Sequence, residues 1–72
     1  MENIQDKLDN WFTYHQPTAE QAAKYEALRE AGKVFAEKIA ALCPDSADRS
    51  ASLRQVREAV YRANASIACN GG

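Results

Sequence analysis

The sequence predicts an all-α protein, a short N-terminal helix followed by an antiparallel two-helix hairpin, assembled into a compact homo-oligomer. Three observations predict it. Apolar residues recur at spacings of three and four along the 72 residues, with no strand-like alternation. Prolines at 17 and 44 divide the chain into three pieces, and its alanine content favours helix. A core this small supplies roughly 3–5 kcal/mol on its own, so a further source of stability is needed.

The first piece is expected to be helical over about 3–11, where Ile4, Leu8 and Trp11 form one apolar stripe. Phe12, Thr13, Tyr14, His15 and Gln16 then read as an extended, aromatic-rich lead into Pro17, because the residue before a proline is pushed out of the helical region. The second helix is expected over about 18–42. Thr18 and Gln21 have the spacing of a capping box, and Glu20 suits the first turn. Its apolar seam is Tyr25, Leu28, Gly32, Phe35, Ile39 and Leu42, a 3.5-residue repeat, with Glu20 and Lys24 as a favourable pair.

Pro44 ends that helix, and the third is expected over about 46–69, capped by Asp45 or Ser46. Its seam is Leu53, Val56, Val60, Ala63 and Ile67, and Gly71 is a natural stop. Two matched seams joined by a tight turn make an αα-hairpin within a single domain, 1–72. The clean start and glycine end are those expected of an intact product.

The staples available to small proteins can be tested one by one. Cys43 and Cys69 would end opposite arms of the hairpin, on the order of 35 Å apart at 1.5 Å per residue. A disulfide needs Cα atoms within about 7 Å, so reduced thiols are expected. His15 is the single histidine and no ligand spacing accompanies it, so no metal and no other cofactor is expected. Self-association remains.

Nine basic and ten acidic residues leave a formal charge of −1, which argues against a nucleic-acid polymer as partner. No apolar run reaches membrane-spanning length, and the polar start is no secretory signal, so a soluble, intracellular protein is expected. Neither a nucleophile–histidine set nor a glycine-rich phosphate loop is present, so no catalytic residue is assigned and an enzyme is not expected.

Two constellations could carry a function. One is the aromatic group Trp11, Phe12 and Tyr14 with His15. The other is the basic set Lys24, Arg29 and Lys33 on one long helix, with Arg54, Arg57 and Arg62 on the other. Rings offer π-faces to bases and guanidinium groups offer donors to phosphate. On the residues alone, the same side chains serve equally as contacts between copies.

Further motifs favour the ligand. The lead Phe12-Thr-Tyr-His-Gln-Pro-Thr18, the stretch Tyr25-Glu-Ala-Leu-Arg-Glu-Ala-Gly32, the turn Cys43-Pro-Asp-Ser46 and the segment Glu58-Ala-Val-Tyr-Arg-Ala-Asn-Ala-Ser-Ile-Ala68 together resemble the phage hairpin domain shared by anti-CBASS and anti-Thoeris sponge proteins. The resemblance covers positions 4 to 69. It implies a helical hexamer that sequesters cyclic oligonucleotide immune signals without cleaving them, in the cytoplasm of an infected bacterial host.

The best-matched positions are Tyr14, expected to stack on a base, and Arg29, expected to reach a phosphate, with Gly32 matching a family glycine. Phe12, His15 and Lys33 are the secondary expected contacts. The family commonly has lysine at the Arg29 position, and arginine's planar fork could alter ligand preference. A late arginine of the anti-CBASS pattern is Ala65 here, with Arg62 on another face, so the resemblance does not extend to a trinucleotide site. The expected ligand is a cyclic dinucleotide. The alternatives are a cyclic trinucleotide or cyclic ADP-ribose isomer and, from another class, a structural adaptor binding a partner protein.

Overall fold

A computed structural model describes residues 3–72. Three helices follow one another, α1 (Ile4–Phe12), α2 (Ala19–Leu42) and α3 (Ala47–Asn70), with no strand among the described residues.

Local chemistry accounts for each boundary. Asn3 caps α1, its Oδ1 accepting from the Gln5 N–H at 2.9 Å. The helix runs one residue further than expected, so Phe12 is its last residue and not the start of the extended lead. The Thr13 hydroxyl donates to the Asp9 carbonyl across that last turn, and the chain becomes extended at Thr13.

Thr18 caps α2 in a full capping box. Its hydroxyl accepts from the Gln21 N–H at 3.1 Å, and the Gln21 side chain accepts from the Thr18 N–H at 3.1 Å. Cys43 is extended ahead of Pro44. Of the two expected caps for α3 it is Ser46 that acts, accepting from the Arg49 N–H at 3.0 Å. Asp45 instead meets the Arg49 guanidinium at 3.4 Å. The third helix stops at Gly71, whose φ of 71° is the left-handed conformation that glycine adopts without strain.

The packing of α2 on α3 is close at one point. A Cβ built on Gly32 would stand 2.6 Å from Val60 Cγ2, so only glycine allows the two backbones to approach there. Around that contact the half-buried residues of α2 are Gln21, Tyr25, Leu28, Gly32, Ala36 and Ile39. Two expected seam residues turn outward: Phe35 is 57% exposed and Leu42 81%. Ala36, placed off the seam by a strict 3.5-residue repeat, lies in it. The reason is helical phase, since a 3.6-residue period drifts from a heptad by about 20° per repeat.

No described side chain is fully buried. The radius of gyration is 15.5 Å, against about 11 Å for a compact domain of this length. The accessible surface is 5825 Å², where a compact monomer of this mass would show about 4,450 Å². Helix α1 hangs at the open end of the hairpin, tied by an Asn10 Nδ2 hydrogen bond of 2.9 Å to the Cys69 carbonyl. Its stripe of Ile4, Leu8 and Trp11 is exposed. Both cysteines are free. Among the described residues no helix is long and apolar enough to cross a membrane.

Candidate ligand-binding face

The Gly32–Val60 contact fixes the register of the hairpin, and helical geometry then sorts the remaining side chains into faces. At about 100° per residue, Arg29 and Lys33 lie roughly 60° and 100° to one side of Gly32. On α3, Arg57 and Tyr61 stand at the same offsets from Val60. Because the helices are antiparallel, both sets fall on one side of the hairpin. On α2, Glu26 borders this side, only about 20° beyond Lys33, whereas on α3 no carboxylate lies within about 60° of Arg57 or Tyr61.

The other side is an apolar groove of about 570 Å³, lined by Leu28, Ala31 and Phe35 of α2 and by Val56, Ala59 and Ala63 of α3. Glu26 borders the basic side, Glu20 and Asp48 border the groove side, and Glu30, Glu37 and Glu58 point toward the back. There Glu58 pairs with Arg62 at 2.8 Å. Lys24, at the open end, meets Glu20 at 4.0 Å and donates to the Gly72 carbonyl.

Arg29 and Lys33 are exposed, one turn apart on α2, and neither forms an ion pair or hydrogen bond among the described residues. Their donors are open to an anion.

Tyr14 and Phe12 belong to the open end, 78% and 84% exposed. The Tyr14 hydroxyl donates to Gln16 Oε1 at 3.1 Å. His15 is part-buried and turned inward, with Nε2 donating to the Asn10 carbonyl at 2.7 Å. That bond anchors the lead beneath Tyr14. The eleven residues from Thr18 to Arg29 rise about 16 Å. One chain therefore brings Arg29 together with Lys33, and Tyr14 near Phe12 and His15, but sets the two groups at different levels of the hairpin.

Three residues of this region escaped the sequence reading of the site. Asn10 ties both His15 and the end of α3. Asn64 lies on the basic side of Val60, and its Oδ1 is buried without a hydrogen-bond partner. Tyr61 accepts from Arg57 Nε at 2.8 Å, with the guanidinium 5.3 Å from its ring centre. The spacing of four between Arg57 and Tyr61 was a visible signal for that last pair. No group of His, Cys, Asp and Glu among the described residues could hold a metal ion.

The family model described as the Acb2/Tad1 hairpin domain matches residues 5–68. No curated protein matches the chain, and no solved structure does.

Proposed function

The chain belongs to the Acb2/Tad1 hairpin family, the anti-CBASS and anti-Thoeris sponges, and from that premise we propose that it sequesters cyclic dinucleotides without cleaving them. The family acts by binding cyclic oligonucleotide signals. The observation that carries the finer reading is the open pair Arg29 and Lys33, exposed one turn apart and without a partner among the described residues. A cyclic dinucleotide carries two negative charges, and such donors form charge-assisted hydrogen bonds to phosphate. Tyr14 supplies the stacking ring, Phe12 flanks it, and His15 secures the segment that carries both.

In this reading the site is completed between copies. The level difference between Tyr14 and Arg29 within one chain is bridged when the Tyr14 end of one copy meets the Arg29 face of another. The apolar groove and the exposed stripe of α1 supply the surface for assembly. The roughly 1,400 Å² of excess accessible surface exceeds the ~800 Å² that one partner contributes to a standard interface. A homohexamer would multiply the site, and sequestration in the host cytoplasm requires no catalytic group.

The test is a thermal-shift screen against cyclic dinucleotides, cyclic trinucleotides and cyclic ADP-ribose isomers, with chromatography of the recovered ligand. A ligand at a hundred times its Kd adds about 2.7 kcal/mol to stability. A shift with cyclic dinucleotides, an unaltered ligand, and at least tenfold weaker binding by Tyr14→Ala and Arg29→Ala are expected. A shift confined to another class would reassign the ligand. Full binding by both variants would remove the site assignment, and no shift at all would favour a protein-binding adaptor.

A further inference from the structure

The proposed site leaves two α3 cations on that side unused, Arg54 and Arg57, and Arg57 is the one nearer the level of the close contact. Arg57 lies three residues before Val60 just as Arg29 lies three before Gly32, and Tyr61 follows Val60 just as Lys33 follows Gly32. The four side chains thus flank the close contact with approximate two-fold symmetry. With 1.5 Å of rise per residue, they span about 9 Å along the hairpin axis.

Arg57 is exposed yet held. Its Nε donates to the Tyr61 hydroxyl at 2.8 Å, and its guanidinium lies 5.3 Å from the centre of the Tyr61 ring. That uses one of five N–H donors. The other four have no acceptor among the described residues. A surface arginine braced only for helix stability would sit as Arg62 does, forked onto a carboxylate one turn away. Arg57 has its plane fixed by a neutral partner and its outer edge left open, the arrangement that suits bidentate capture of a phosphate.

We infer that Arg57, positioned by Tyr61, is a further phosphate-contacting residue of the cyclic-nucleotide site, working beside Arg29 and Lys33. The inference rests on the sponge reading and extends it, because it names a donor on the opposite helix. The symmetric placement of Arg29 and Arg57 matches a ligand whose negative charge is divided between two groups. A ligand with one charged group at a single end would draw on one arginine more than on the other.

The experiment is isothermal titration of the full chain with cyclic di-AMP, cyclic di-GMP and cyclic GMP–AMP, at low and high salt. Arg57→Ala should bind about tenfold more weakly, with a flatter salt dependence, as expected on loss of one charge-assisted hydrogen bond. Arg57→Lys, which keeps the charge without the fork, should fall between. Tyr61→Phe keeps the ring and removes the acceptor. It should cost about two- to threefold alone and nothing further on Arg57→Ala, the non-additivity of residues acting through one contact.

Arg62→Ala on the back serves as the control and should bind as the unmodified chain does. Melting curves of each variant separate lost binding from lost fold. If the unmodified chain binds a dinucleotide and folded Arg57→Ala binds within twofold of it, the assignment of Arg57 is overturned while the sponge reading stands. If the unmodified chain binds none of the three, the dinucleotide reading falls and takes this assignment with it.

Discussion

The two faces of the hairpin share one backbone plan and differ in a few side chains. On one face the residues three before and one after Gly32 are Arg29 and Lys33. On the other, the residues three after and one before it are Phe35 and Ala31. The same offsets around Val60 give Arg57 and Tyr61 against Ala63 and Ala59. Acidic residues border both faces, Glu26 beside the basic one and Glu20 and Asp48 beside the apolar one, so the contrast lies in lysine or arginine against alanine or phenylalanine. A thin two-helix layer, with no fully buried residue among those described, presents two unlike surfaces on either side of the seam that the Gly32–Val60 approach closes.

The largest effect that should break this contrast is Phe35→Asp. A carboxylate on the apolar face would be desolvated by any partner copy, a cost of several kcal/mol. If the chain assembles as proposed, light scattering after size exclusion should show the unmodified chain as an oligomer and the variant as a monomer. An oligomer that persists in the variant would show that the groove is not the interface. Gly32→Ala acts on both faces together. The new Cβ meets Val60 at 2.6 Å, and overpacking of that kind costs about 1–3 kcal/mol, offset in part by roughly 1 kcal/mol of helix propensity. A net loss of up to about 2 kcal/mol is expected in denaturant titration, and adding Val60→Ala should recover part of it. The smallest effect belongs to the back, where Glu58→Gln removes an exposed ion pair. Stability should fall by no more than about 0.5 kcal/mol, with assembly and ligand affinity unchanged.

Much of this architecture could be read without coordinates, because it is written in local chemistry. The capping box of Thr18 and Gln21, the break before Pro44 and the glycine stop at 71 each depend on a few neighbouring residues. The limits of such reading are equally physical. Phe35 and Ala36 are adjacent, both apolar, and differ by 100° of rotation, so a small error of period exchanged them. The extension of α1 to Phe12 depends on one hydroxyl, that of Thr13, finding the Asp9 carbonyl. At the site, Tyr14, Phe12, His15, Arg29 and Lys33 were picked out by residue type and family likeness, whereas their separation into two levels needed the helical rise. Arg57 and Tyr61 were present as a charge and a ring four apart, but only the register at Gly32 brings them opposite Arg29.

The short Cys43–Ser46 link also governs time. It joins two helices whose contacts begin beside the turn and extend outward from it, so the hairpin can close by zipping, without a long loop search. The end of α3 then meets α1, through the Asn10 bond to the Cys69 carbonyl, 59 positions further along. A chain still being made can pair its early turns, yet α1 has no carbonyl to hold until α3 has been made and laid along α2. The closing of the hairpin's open pole is thus the event that sets α1 in place.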